Sequence, residues 1–160
     1  MTPEESIVIN TAIGSGMPQR LAELILAQAK HESANFTSGV YQDCNNAFGY
    51  SAYAGQGACQ GHSFYKAYSS LADSVKEITA WIKRRQSEGK FPANLNEIQT
   101  PEQYAALLKQ SNYYEDSVTN YSNGLKNWFV ANLLPVSTGL IGLILVVAVL
   151  VLNNSNKYLK

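Results

Sequence analysis

Residues 18–33 read PQRLAELILAQAKHES and run directly into a stretch of different character. Leu21, Leu24, Ile25 and Ala29 recur at the spacing of one helical face. Pro18 suits a first turn, where its missing N–H removes no helical bond. The spacing predicts a helix from Pro18 to Glu32 or Ser33. Residues 33–65 then hold five glycines, four tyrosines, both cysteines and one formal charge, Asp43. That composition predicts a loop-rich or small-sheet lobe. Its neutral polar groups and aromatic faces suit an uncharged polyhydroxylated ligand better than a phosphate.

Glu32 stands where the two stretches join. A carboxyl at the end of an apolar helix feels the negative end of the helix dipole and partly apolar surroundings, and both raise its pKa. A general acid for glycosidic cleavage at neutral pH needs such a carboxyl. The plainer alternative is a structural Glu32 that caps the helix or pairs with Lys30 or a distant arginine.

Further out, Leu71, Val75, Ile78 and Ile82 predict a helix over Ser70–Arg85 with an apolar inner side. Its end, Lys83-Arg84-Arg85, reads as a solvated terminus that complements the helix dipole. Thr100-Pro101-Glu102-Gln103 is a helix start, with Tyr104, Leu107 and Leu108 facing inward. A last helix is expected to begin between Val118 and Tyr121 and to carry Leu125, Trp128 and Phe129. The fold class expected is mainly α, a helical domain over residues 1–130 with a small irregular or β lobe.

The 160 residues carry 12 basic and 12 acidic side chains, and only 15% are charged. The shortage is local, because the 30 residues between Lys126 and Lys157 carry none. Within them Val136–Leu152 reads VSTGLIGLILVVAVLVL, apolar on every side. With Leu133 and Leu134 it approaches the roughly 20 residues that span a bilayer core. A transmembrane helix over residues 133–152 and a short polar tail over residues 153–160 are therefore expected. Trp128 and Phe129 would lie at the near interface, Tyr158, Lys157 and Lys160 at the far one, and the tail on the cytoplasmic or an equivalent face. The N-terminal MTPEESIVIN has neither a basic nor an apolar signal region, so a C-terminal anchor in the lipid bilayer is the expectation. Residues 1–126 hold ten basic and twelve acidic residues, which argues against a nucleic-acid partner.

Cys44 and Cys59 either pair or remain free thiols. A bridge would close a loop worth about 3 kcal/mol and imply an oxidising compartment. With His62 they still lack a fourth ligand, so no metal site is expected.

Several short strings recur in one order. Gln28-Ala29-Lys30-His31-Glu32-Ser33 is followed by Asn45-Asn46-Ala47-Phe48-Gly49-Tyr50, then by Tyr68-Ser69-Ser70-Leu71-Ala72-Asp73-Ser74-Val75. Tyr104-Ala105-Ala106-Leu107-Leu108-Lys109, Tyr113-Tyr114-Glu115-Asp116 and Asn120-Tyr121 close the series. Together they resemble the signature of glycoside hydrolase family 73, peptidoglycan-cleaving β-N-acetylglucosaminidases on a lysozyme-like fold. The resemblance implies that Glu32 is the general acid, that Ser33 supports it, and that no cofactor takes part. Asn46, Phe48 and Gly49 would shape the cleft floor, with Tyr50 and Tyr114 among the substrate contacts. Tyr113 aligns with the functional tyrosine, though Tyr114 could hold that place. Asp43 is the candidate second carboxylate. The alternatives are participation by the substrate's own N-acetyl group, or a lytic transglycosylase. Ala34, Asn35 and Phe36 depart from the family's glycine and tryptophan, and His31 from a commonly apolar residue.

A non-catalytic peptidoglycan-binding or structural membrane protein is the reading outside enzymes. A tethered wall hydrolase suits the virion membrane of a membrane-containing bacteriophage, among capsid and membrane proteins. The bacterial inner membrane is the second setting.

Overall fold

The computed structural model describes residues 1–53 and 57–129. α1 (Pro3–Gly14) starts at a reciprocal cap: the Thr2 hydroxyl accepts the Glu5 N–H, and the Glu5 carboxylate accepts the Thr2 N–H. The sequence reading passed over this helix. α2 (Gln19–Glu32) begins just after Pro18 and ends where the 18–33 pattern predicts. Its burial is greater than one stripe implies, because every residue from Leu21 to Ala29 is buried. α1 and α6 (Val118–Lys126) both pack on it. The two polar side chains enclosed with it have partners for their oxygens, while the Gln28 amide nitrogen has none among the described residues. Glu23 accepts from Arg20 at 2.8 Å and Gln19 at 3.1 Å, and Gln28 accepts from the Tyr104 hydroxyl at 2.6 Å.

α4 (Leu71–Ser87) is capped by Ser70 and buries Leu71, Val75, Ile78 and Ile82, as their spacing predicts, together with Trp81. α5 (Pro101–Gln110) has the full capping box at Thr100 and Gln103, and buries Tyr104 and Leu108. Ser117 caps α6. Gly124 lets α6 close on α2, since a Cβ there would run into the His31 ring.

The lobe between α2 and α4 holds short α3 (Gly39–Cys44) and a two-stranded antiparallel sheet, β1 (Ala58–Cys59) with β2 (His62–Lys66). A disulfide joins Cys44 at the end of α3 to Cys59 in β1. Buried Asn46 is a second tie: its amide donates to the Tyr50 and Lys66 carbonyls, each at 2.8 Å, and its oxygen accepts the Tyr50 N–H at 3.1 Å. A helical body with one small sheet fits an α-rich lysozyme-like fold.

Beyond α6 the Trp128 ring lies 5.1 Å beneath the Lys30 ammonium, and the Phe129 ring 5.4 Å beneath the Arg20 guanidinium. Both rings thus rest on cations of α2, a packing the reading of them as membrane-interface anchors did not anticipate. The spans 133–152 and 153–160 lie outside the described residues. Among the described residues no helix is long and apolar enough to cross a membrane.

α2 leaves into an unusual turn. Ala34, Asn35 and Phe36 all have positive φ, at 50°, 58° and 65°. Left-handed backbone costs a residue with a Cβ about 1–2 kcal/mol. Ser33, fully buried, holds the turn: its hydroxyl donates to the Ala29 carbonyl at 2.6 Å and accepts the Phe36 N–H at 2.9 Å. Ala34 is exposed, so Ala34→Gly removes strain without removing packing. After allowance for glycine's extra freedom when unfolded, it should stabilise the fold by about 0.5–1 kcal/mol. Ser33→Ala should destabilise it by about 1–3 kcal/mol, because a buried N–H loses its partner. Thermal melts of the two variants should move in opposite directions from the parent, and a fall for Ala34→Gly would show that the turn is unstrained.

Candidate active site

The last turn of α2 delivers Glu32 into a cleft of about 760 Å³ between the helical body and the lobe. Phe48, Gly49, Tyr50, Tyr113 and Tyr114 line the same cleft. The helix that closes on α2 supplies the partner of the carboxyl: the Tyr121 hydroxyl donates to Glu32 Oε1 at 2.5 Å. Tyr121 is held from both sides. Tyr114 stacks on its ring at 3.9 Å, nearly parallel at 7°, and His31 stands edge-on at 5.3 Å.

Burial lifts the Glu32 carboxyl above the usual carboxylate range, outweighing the Tyr121 hydrogen bond and the nearby His31, which both favour the ionised form. Burial, and then the charge of Glu32, drive the Tyr121 hydroxyl well above its ordinary value, so it remains a donor. The second carboxyl oxygen faces Gly49, whose φ is +66°. A Cβ on that residue would stand 3.9 Å from Oε2, an ordinary contact, so it is the positive φ that favours glycine there, and Oε2 itself accepts no hydrogen bond among the described residues. One oxygen is therefore held by the protein while the other is presented.

The hydroxyls of Tyr113 and Tyr114 are occupied within the fold. Tyr113 donates to the Phe48 carbonyl at 2.7 Å, and Tyr114 to the Ala105 carbonyl at 2.9 Å. Burial also pushes the Tyr113 hydroxyl well above its ordinary pKa and raises that of Tyr114. Tyr113 thus fixes the Phe48–Gly49 floor, and Tyr114 fixes the ring of Tyr121. Tyr50 differs, since its hydroxyl is buried at the cleft with no partner among the described residues.

Two of the residues expected at the site lie elsewhere. Asn46 has its side chain spent inside the lobe and does not line the cleft. Asp43 does not line it either: α3 carries its carboxylate to His62 Nε2, 3.0 Å away, on an exposed part of the lobe. The second carboxylate in the cleft is Glu77 of α4, ion-paired with Lys66 at 2.5 Å. Tyr121 and Glu77 were both missed as functional candidates. For Tyr121 the signal was its place in the Asn120-Tyr121 string, and for Glu77 its spacing from Trp81 on a face of α4 outside the Leu71–Ile82 stripe. Arg84 and Arg85, read as a solvated terminus, also line the cleft. Among the described residues no cluster of three or more His, Cys, Asp or Glu could hold a metal ion.

No curated protein and no solved structure matches the chain. One family model does, over residues 15–134: Glucosaminidase, described as mannosyl-glycoprotein endo-beta-N-acetylglucosaminidase. That match covers three quarters of the sequence and contains Glu32, Tyr121 and the whole cleft lining. With a cleft built around one partly buried carboxyl inside the matched span, the chain belongs to the glucosaminidase family and is a glycoside hydrolase acting on peptidoglycan.

Proposed function

We propose that the protein is a β-N-acetylglucosaminidase of the peptidoglycan strand, with Glu32 as its general acid. The observation that carries this reading is the Glu32 carboxyl, raised by burial at the cleft and presenting Oε2 while Oε1 is held by Tyr121. The protonated carboxyl gives its proton to the glycosidic oxygen as the bond to C1 breaks, and the leaving sugar departs as an alcohol. The carboxylate left behind keeps the Tyr121 hydrogen bond. It then takes a proton from the water that attacks C1, which restores the acid.

The described residues place no second carboxylate free of an ion pair in the cleft: Asp43 lies outside it, and Glu77 is held by Lys66. The substrate's 2-acetamido oxygen therefore serves as the internal nucleophile at C1 in this proposal. The same observation favours a second reading, a lytic transglycosylase, in which one acid/base suffices and the muramyl 6-hydroxyl closes on C1. Digestion of purified peptidoglycan by the full chain separates the two. New reducing N-acetylglucosamine ends are expected, reduced at least about a thousandfold in Glu32→Gln. 1,6-Anhydromuramic ends would assign the transglycosylase instead.

Tyr121 and the proton bookkeeping give a pH test. The acid must be protonated, so the rate falls as pH rises through the Glu32 pKa. The Tyr121 hydrogen bond lowers that pKa, so Tyr121→Phe should move the alkaline limb of kcat/KM to higher pH, with a slower maximum. An alkaline limb that stays put or moves down would detach it from Glu32.

The reading includes tethering. The charge-free apolar run at 133–152 supports a membrane anchor, and an anchored wall hydrolase suits a virion membrane, with the bacterial inner membrane as the other setting. The full chain should sediment with membranes and resist extraction at high pH, whereas a chain ending at residue 130 should not. Mass spectrometry of purified particles should find it if the membrane is a virion's.

A further inference from the structure

One wall of the cleft is a single face of α4. Glu77, Trp81, Arg84 and Arg85 follow one another at helical spacing and all line it. Most of the charge along this wall is matched. Glu77 is paired with Lys66 at 2.5 Å, and Arg85 donates to Glu88 at 2.6 Å. Lys90 reaches the same Glu88 oxygen at 3.9 Å. Arg84 is the surplus: it is exposed to the cleft and makes no ion pair among the described residues. Arg85 keeps unused capacity as well, since its Nε is buried and without a partner there.

The guanidinium of Arg85 lies over the Trp81 ring, 5.3 Å from its centroid. The Trp81 ring in turn meets Tyr113 at 5.3 Å, and Tyr113 holds the floor residue Phe48 at 2.7 Å. Arg85 is thus joined to the Glu32 floor by two packed rings rather than by a loose surface chain. The residues up to Lys126 carry a net charge of about −2 (ten basic, twelve acidic), so a cationic end to the cleft is a local feature. A hydrolase of neutral sugars has no use for it.

We propose that Arg84 and Arg85 form a carboxylate-binding subsite that takes the anionic substituent of a muramyl residue, and so selects muramyl strands over neutral glycan. The inference rests on the functional reading above and adds the chemistry recognised at one end of its cleft. The carboxylate has two sources in peptidoglycan: the lactyl group of the sugar, and the peptide stem attached to it. Either matches a planar guanidinium fork.

Three glycans separate the possibilities: strands bearing stems, strands freed of stems by an amidase so that the lactyl carboxylate is bare, and the latter with those carboxylates converted to methylamides. The parent should turn over the anionic strands at least about tenfold better in kcat/KM than the methylamide strand. Arg84→Gln should reduce that ratio about tenfold, Arg84→Lys should recover part of it, and raised salt should erode it. A ratio that falls for stem-bearing strands alone assigns the stem, one that falls for the stem-free strands alone assigns the lactyl carboxylate that the stem's amide bond otherwise caps, and one that falls for both shows that the subsite takes either. Affinities measured by calorimetry on full-length Glu32→Gln, with and without Arg84→Gln, read the subsite apart from the chemistry. Affinity that depends on the carboxylate and on Arg84 supports the subsite even where the parent turns over none of the strands, a result that overturns the functional reading alone. Equal affinity for all three strands, or a ratio indifferent to Arg84, overturns the subsite.

Discussion

Enclosure of α2 governs where the Glu32 carboxyl can be. A helix buried on every side from Leu21 to Ala29 reaches solvent only at its ends, so Glu32 occupies the boundary between core and cleft. A surface helix would have left that carboxyl fully hydrated and its pKa ordinary. Enclosure also explains why the neighbours of α2 are tied at its C-terminal turn. Lys30 reaches Glu5 of α1 at 2.7 Å and lies over Trp128 beyond α6, so three segments converge one turn before the cleft. The left-handed turn that follows, closed by Ser33, lets the chain leave a helix end that has no free side along which to continue.

At the carboxyl itself two effects oppose each other. Burial disfavours the charge, while the Tyr121 hydroxyl and His31 favour it, and burial prevails. Had the partner been an arginine, a full positive charge would have held the group ionised and useless as an acid. A hydroxyl donor steadies the carboxylate and still leaves its pKa raised. The arrangement needs α6 close to α2, which Gly124 permits, and a fixed phenol, which the stacked Tyr114 supplies. It also has a cost, since a desolvated carboxylate at neutral pH lowers stability relative to a neutral side chain.

Much of the helical frame was legible because amphipathic helices announce one buried side. α4 and α5 obey their spacing and caps residue by residue. α2 was found in extent but not in depth, since periodicity cannot distinguish a stripe from full enclosure when the remaining positions are Ala, Leu and Gln and the one charge, Glu23, is enclosed only because Arg20 pairs with it. α1 escaped although Thr2-Pro3-Glu4-Glu5 starts a helix by the same chemistry as Thr100-Pro101-Glu102-Gln103. At the site, Glu32 was legible from its position at a composition boundary. Its partner was not, because the Tyr121 contact spans 89 residues and no local pattern encodes it. Asp43 shows the converse: closeness to Glu32 and Cys44 in sequence said nothing of direction, and α3 turns it to His62. Arg84 and Arg85 were read as a solvated end because the terminus of a helix is usually solvated. Only the fold shows that this end borders a cleft.

The lobe obeys a different constraint from the helical body. Between Asn45 and Lys66 only Ala47 and Phe48 join the core of the helical body, while Phe64 is 82% exposed and Tyr53 73%, so the described residues of the lobe build no apolar centre of their own. Beyond that anchor, such a segment has to be held by specific bonds. The Cys44–Cys59 disulfide, the Asn46 amide and the Asn45 bond to the Tyr68 carbonyl at 3.1 Å do this work. Because those ties lie at the base of the lobe, Tyr53 and Tyr65 are left free to line the open side of the cleft. Exposed ring faces suit packing against the apolar faces of sugar rings, and a lobe with an apolar centre would have drawn them inward. Covalent and hydrogen-bonded attachment is therefore the condition that keeps aromatic surface available to a carbohydrate.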